Sequence, residues 1–239
     1  MTNLKNILLN SFFPPICFGC GSFGIELCER CLLDFDPVTV FRCLACEGEI
    51  PPLNNTCSCR GNPTLGVVYP IWKYKGAVKK TIINLKYGSH QEALKPLITF
   101  MRPSQLSKII TLTSKVPNPL LVPVPTHSSK LRSRGFNQAE LFARALGKML
   151  GAELIGEDVI VKKKQSKAQA SLKRRQDRII NATGTFCIVD KKPLIGRNVV
   201  IIDDVLTTGA TICEIAKLLH PHTALRANSV VLAHEEGAL

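Results

Sequence analysis

An α/β fold with a mostly parallel sheet, preceded by a small cysteine-rich module, is what this sequence predicts. Three observations carry the prediction. First, Val199-Val200-Ile201-Ile202 runs straight into Asp203 and Asp204, a loop rich in Thr and Gly, and a helical pattern over 210–219. A continuous apolar run of this kind reads as a strand buried on both faces, as in a parallel sheet. Second, further short apolar runs at 67–74, 120–125, 185–189 and 228–233 are interspersed with helical patterns, as in open α/β sheets. Third, eight of the ten cysteines fall between Cys17 and Cys59.

The 239 residues suit one domain of moderate size plus a small module, and 45% hydrophobic content is enough for a sizeable core. Gly61-Asn62-Pro63 is a breaker, so the expected division is 1–62 and 63–239. The formal net charge is +13, yet residues 1–65 hold four Lys/Arg against six Asp/Glu, and the excess of positive charge lies wholly beyond them. A lopsided basic charge favours polyanionic, phosphate-rich partners over mere solubility. No segment approaches the ~20 apolar residues needed to span a bilayer. Ile7-Leu8-Leu9 is broken by Asn10-Ser11 with no small-residue cleavage site after it, so a cytoplasmic location is expected.

The cysteines pair as Cys17-x2-Cys20, Cys28-x2-Cys31, Cys43-x2-Cys46 and Cys57-x-Cys59. In a cytosolic chain such pairs mean metal rather than disulfides. A two-residue gap lets both thiolates of a pair point at one tetrahedral Zn²⁺ from a tight turn. Gly21 after Cys20 suits a knuckle that needs positive φ. Four pairs supply two sites, either sequential (Cys17/Cys20/Cys28/Cys31, then Cys43/Cys46/Cys57/Cys59) or cross-braced. The one-residue gap of Cys57-x-Cys59 is atypical and leaves a degenerate second site open. All-thiolate sites have no open position for water, so two structural zinc ions are expected, and so small a module depends on them to fold. Cys187 and Cys213 fall in core-like patterns as small buried apolar residues.

Val67–Tyr74 reads as a strand, with Trp72 and Tyr74 on one face and Lys73 and Lys75 on the other. Gly76 opens a helix through Tyr87, with Val78, Ile82 and Leu85 at core spacing, and Gly88 ends it. Helices follow over 91–101 and 105–114. Leu120–Pro125 is a short strand whose Pro123 restricts it to pairing on one side. A loop then carries Arg132 and Arg134, and Asn137 caps a helix over 138–150. Arg chelates phosphate oxygens through two parallel N–H bonds, which makes Arg132 and Arg134 candidates to grip a pyrophosphate. A second basic stretch over 162–182 offers Lys163, Lys164, Lys167, Arg174 and Arg175 as a phosphate track for a nucleic acid. Binding of single strands usually pairs such charge with stacking aromatics. This stretch has none. Trp72, Tyr74, Tyr87 and Phe136 are the candidates, each equally readable as core.

The end of the motif strand, read as 198–203, is the place where open α/β sheets bind ligands. Thr207, Thr208, Gly209, Ala210 and Thr211 stand at a helix N-terminus, whose free N–H groups and partial positive charge hold phosphate. Two adjacent carboxylates beside such a cradle are suited to accept hydrogen bonds from the two hydroxyls of a ribose, so the implied group is a ribose 5-phosphate. Asp203–Thr211 resembles the phosphoribosyl-pyrophosphate (PRPP) loop of type I phosphoribosyltransferases, and the Rossmann-like fold of those enzymes follows from the resemblance.

The likeness sharpens elsewhere. Pro123-Val124-Pro125 followed by Arg132-x-Arg134-Gly135-Phe136-Asn137-Gln138 resembles the signature of the ComF family, as do Leu85-Lys86-Tyr87, Gln169-x2-Leu172-x2-Arg175-x2-Arg178-x2-Asn181 and the cysteine-rich start. The resemblance implies a zinc-ribbon module joined to a phosphoribosyltransferase-like domain that binds PRPP with Mg²⁺. It also implies DNA uptake in naturally transformable bacteria, with single-stranded DNA and other DNA-uptake proteins as partners. Type I enzymes read the base with a hood. Residues 1–62 stand in its expected place without a recognisable base-reading set, which favours a PRPP-binding DNA handler over an active phosphoribosyltransferase; a zinc scaffold for protein partners is the further alternative. The family likeness names no catalytic residue.

Overall fold

The structure is a computed structural model that describes residues 14–46, 48–51, 57, 59, 65–88, 90–114, 119–156, 158–163 and 184–235. In the N-terminal module, α1 (Glu29–Leu32) is followed by the hairpin β1 (Phe41–Cys43) and β2 (Glu49–Ile50). Then come β3 (Leu65–Lys73), α2 (Gly76–Tyr87), a 3₁₀ turn at Gln91–Ala93, α3 (Leu94–Thr99) and α4 (Pro103–Ser114). The second half holds β4 (Leu120–Pro123), α5 (Ser128–Arg134), α6 (Gln138–Leu150), β5 (Glu153–Leu154), β6 (Ile160–Lys162), β7 (Phe186–Ile188), β8 (Val199–Leu206), α7 (Ala210–Leu219) and β9 (Ala227–His234).

Among the described residues one seven-stranded sheet runs β2-β1-β3-β9-β8-β4-β5. Its five strands from β3 to β5 pair in parallel, and β1 joins β3 antiparallel. The apolar run of β8 is sandwiched as its composition requires. Val200 and Ile202 face the side covered by α2, α3, α4 and α6, while Val199 and Ile201 face the side covered by α7. Each such side chain, fully buried, contributes roughly 1.5–3 kcal/mol. The sheet therefore presents the C-terminal ends of β4, β8 and β9 to one edge, where the acids lie.

Sequence expectations hold for most elements, and the differences have physical causes. The strand carrying the acids does not stop at Asp203. It stays paired with β9 through Leu206, so both carboxylates sit on ordered strand. The strand β3 is buried along its whole length up to Trp72 rather than alternating, because Val67, Tyr69 and Ile71 enter one core cluster while Leu65 and Val68 enter the other. Pro123 pairs only with Ile202 of β8, since β5 stops opposite Leu121. The missing N–H of Pro123 thus falls where the sheet has no partner for it.

Arg132 and Arg134 lie on a helix, α5, and not on a loop. His127 starts it by accepting from the Ser129 amide through Nδ1 (3.2 Å), and Gly135 ends it at φ +85°. A histidine cap is not among the usual signals. The cap expected at Asn137 is present, its Oδ1 accepting from the Ala139 amide at 3.2 Å.

The module is continuous with the sheet. Phe41 stacks edge-on with Tyr69 at 5.4 Å, and Phe35 with Trp72 at 5.1 Å. Asp34 accepts from the Ala77 amide and so caps α2 from across the boundary. No helix among the described residues is long and apolar enough to cross a membrane.

Candidate functional site

The acids are placed by β8 and the loop by α7. Asp203 folds its Oδ1 back onto the amide of Asp204 (2.9 Å). After Leu206 the chain turns through Thr207 and Thr208 to Gly209, which takes φ +66° and caps α7. A residue with a Cβ is strained in that left-handed conformation, which is why Gly stands there. Thr208 Oγ1 accepts from the Ala210 amide at 3.4 Å, fixing the turn. The first amides of α7 thereby face the same edge as the carboxylates.

A cavity of about 190 Å³ opens on this edge, and Asp203, Asp204 and Thr211 line it. Its other wall is cationic: Lys86 from the last turn of α2, Lys130 and Arg134 from α5, and Lys162 from the end of β6. Lys86 Nζ reaches Asp204 Oδ1 at 2.8 Å, with both side chains about four-fifths buried. Arg134 lies over the Tyr87 ring at 5.7 Å, and that ring is 75% exposed. A larger cavity of about 590 Å³ lies between the first cysteine knuckle and α2 and contains none of these acids.

Residues 131–238 match the phosphoribosyl transferase domain family. The chain is 34% identical over 100 residues to Competence protein F of Haemophilus influenzae, covering 41% of this chain and 43% of that protein. It is 29% identical over 208 residues to Competence protein ComFC of Bacillus subtilis, covering 85% of this chain and 77% of that one. It is 30% identical over 146 residues to DNA utilization protein YhgH of Escherichia coli, covering 61% and 62% respectively. The domain match together with these relatives supports the ComF likeness. The matches span less than half of the Haemophilus protein and somewhat under two thirds of the Escherichia one.

The expected site residues divide into three groups. The structure brings Asp203, Asp204, Thr211 and Arg134 to one cavity, with Thr207, Thr208, Gly209 and Ala210 forming the adjoining turn. Arg132 is exposed on α5 and is not part of the cavity wall. Lys163 is exposed just beyond β6, while Lys164, Lys167, Arg174 and Arg175 lie outside the described residues. Lys86, Lys130 and Lys162 join the site without having been assigned to it from sequence, and Tyr87, considered only as a stacking aromatic, lines it too. A signal existed for two of them in the family-like Leu85-Lys86-Tyr87, a lysine and an exposed aromatic at a helix end. Of the aromatics considered for stacking, Trp72 is buried with Nε1 donating to the Leu97 carbonyl, and Phe136 is also buried.

The cysteines gather sequentially. Cys17, Cys20, Cys28 and Cys31 form one cluster and Cys43, Cys46, Cys57 and Cys59 the other, with all four sulfurs of each within 4.8 Å of one another. Sulfur separations of 3.7 Å (Cys20–Cys28), 3.6 Å (Cys43–Cys59) and 3.5 Å (Cys46–Cys57) are close to the ~3.8 Å edge of a tetrahedron with Zn–S of about 2.3 Å. Backbone amides point at the sulfurs: Cys28 N at Cys17 (3.3 Å) and Ala45 N at Cys43 (3.4 Å). Burial pushes Cys43 up to about 12 and Cys31 further still, with the neighbouring thiols adding to the rise. Four sulfurs brought this close in each cluster make both compatible with structural zinc. Cys57-x-Cys59 completes the second cluster despite its short gap.

Charge at the acid pair is finely set. Burial, then the charge of Asp204, pushes Asp203 up to about 7, against the Asp204 amide, Lys86 and Lys162. Burial alone would depress Lys86, but the charge and hydrogen bond of Asp204 outweigh it and hold its pKa above the ordinary range. Burial holds Lys162 below its ordinary range, with Lys130 adding repulsion.

The raised Asp203 has a consequence for stability. Unfolded, it ionises near 3.8. Folding is therefore penalised progressively as pH rises from there to about 7, and fully above it. Asp203→Asn removes the penalty. Denaturant titration should find the variant more stable than wild type by about 1–3 kcal/mol at pH 8, with the gap closing by pH 4. Equal stability at pH 8 would contradict this placement of the carboxyl.

Proposed function

We propose that this chain is a competence-associated cytoplasmic protein that binds PRPP with Mg²⁺ and handles incoming single-stranded DNA. Residues 63–239 carry both binding roles. Residues 1–62 form a module held by two structural zinc ions, with other DNA-uptake proteins as partners. The observation that carries the reading is the acid pair on β8, facing a cation-walled cavity and followed directly by the turn into α7.

Each part of PRPP has a chemical counterpart there. Asp203 and Asp204 accept hydrogen bonds from the ribose hydroxyls. The amides and hydroxyls of Thr207, Thr208, Gly209, Ala210 and Thr211 hold the 5-phosphate. The pyrophosphate meets Arg134, with Arg132, Lys86, Lys130 and Lys162 adding positive charge. Binding draws Lys86 from Asp204 toward the pyrophosphate and favours the ionised form of Asp203. Hard carboxylate oxygens suit Mg²⁺, which keeps several waters beside one or two carboxylates and substrate phosphates. When bound, the ion neutralises part of the pyrophosphate charge.

The DNA role draws on two features. The positive charge lies beyond residue 65. Tyr87 offers an exposed ring beside Arg134 at the cavity mouth, the pairing of aromatic and cation that single strands use. The names of the relatives, two of competence and one of DNA utilization, agree with this role.

Mg²⁺ and PRPP together should raise the melting temperature, because a ligand at about 100 times its Kd stabilises the native state by about 2.7 kcal/mol. Asp203→Ala combined with Asp204→Ala should abolish the shift. A shift that survives the double substitution would remove the acids from the ribose site. Pyrophosphate release on adding a nitrogen nucleophile would assign the chain to active transferases instead.

Single-stranded DNA should bind with a strong salt dependence. With four to six phosphate contacts among Arg132, Arg134, Lys163, Lys164, Lys167, Arg174 and Arg175, log affinity should fall against log salt with a slope of roughly −3 to −4. Replacing Lys163, Lys164 and Lys167 together should flatten the slope by about two, with little dependence on base sequence. Fluorescence anisotropy with a labelled oligonucleotide reads this directly. A flat salt response in the wild-type chain would eliminate the surface.

A further inference from the structure

The second cysteine cluster touches the turn that leads into α7. Its first knuckle, between Cys43 and Cys46, carries Leu44 and Ala45. Both are half-buried against the apolar cluster that contains Leu206, Ile212 and Ile215, and Cys213 packs there with them. Leu44 Cδ2 and Leu206 Cδ1 each lie 3.6 Å from the point where a side chain on Gly209 would begin. The Cys213 thiol, one turn into α7, donates to the Leu44 carbonyl at 3.7 Å. The turn at Gly209 therefore rests on a wall built by a residue of the knuckle.

That wall is only as fixed as the knuckle. On one side the knuckle is anchored in the sheet, where Cys43 pairs with Val67 and its amide donates to the Gly48 carbonyl at 2.9 Å. On the other side its shape depends on the sulfurs. The Ala45 amide points at Cys43 Sγ, and the Cys46 sulfur, on an exposed residue, lies 3.5 Å from that of Cys57. A metal bound here would hold these sulfurs together through its thiolate bonds. Without it that restraint is lost, and Leu44 is less firmly held against Gly209.

We infer that Leu44 is a positioning residue for the phosphate turn, and that metal at the Cys43/Cys46/Cys57/Cys59 cluster sets the affinity of the acid-pair site for a phosphorylated ribose. The inference rests on the PRPP reading above. Binding linkage makes the coupling reciprocal: whatever factor the metal contributes to ligand affinity, the ligand contributes to metal retention.

The experiment uses the full zinc-loaded chain, with Mg²⁺–PRPP as the probe. Calorimetry gives its affinity, and a zinc-selective chelator gives the rate of zinc release with and without it. In the wild type, saturating Mg²⁺–PRPP should slow release of one of two zinc equivalents by roughly 5- to 150-fold, the usual range of such couplings. Leu44→Ala, still carrying two zinc equivalents, should bind Mg²⁺–PRPP more weakly by a similar factor and lose the protection. Leu44→Met, of similar volume, should restore both.

Unaltered affinity in zinc-loaded Leu44→Ala would overturn the inference. So would zinc release from the wild type that ignores bound Mg²⁺–PRPP, a result that needs no variant to fold. In both cases the PRPP reading survives. A wild-type chain that does not bind Mg²⁺–PRPP in the calorimeter would overturn the reading and the inference together.

Discussion

Two adjacent carboxylates at the end of a strand buried on both faces must find compensating charge, and the architecture around β8 supplies it. An unpaired buried carboxylate carries a penalty of several kcal/mol. Lys86 reaches Asp204 from α2, and Lys162 contributes to the field at Asp203 from β6. The compensation is partial. Asp203 still titrates near neutrality, and the cations on the opposite wall of the cavity exceed what the two acids can balance. Such a site is poised for a ligand that brings hydroxyl groups to the acids and anionic groups to the lysines and arginines. A phosphorylated ribose bearing pyrophosphate has that arrangement.

The N-terminal module packs against the elements that build the same site. Its hairpin extends the sheet through β1, and its aromatic side chains enter the same core as β3 and α2. Two clusters of four thiols supply what its small apolar content cannot. One packs beside α2, which carries Lys86. The other lies against Gly209 and Cys213. The elements that deliver the lysine and the turn at Gly209 thus each have a cysteine cluster beside them.

Much of this was legible in the residues. The apolar run 199–202, the paired acids and the Gly-bearing turn carry their own physical signature. Asn137 and the Cys-x2-Cys spacings likewise act locally. Lys86, Lys130 and Lys162 were not legible as a set, because three elements distant in sequence converge on one cavity and nothing in their local context marks the convergence. The helix over Ser128–Arg134 was missed for another reason. Its cap is a histidine, and seven residues give too short a pattern to reveal a period. The meeting of Leu44 with Gly209 depends on how the hairpin docks, which only tertiary packing determines. The reach of β8 past its acids is likewise set by pairing with β9.

The central claim is that the acid pair and the turn after it form one ribose-phosphate site. A crystal structure of the chain grown with Mg²⁺ and PRPP tests it most directly. The account predicts ribose hydroxyls on Asp203 and Asp204, the 5-phosphate on the amides at the start of α7, and Lys86 released from Asp204. Ligand bound elsewhere, with the Lys86–Asp204 ion pair intact, would contradict it.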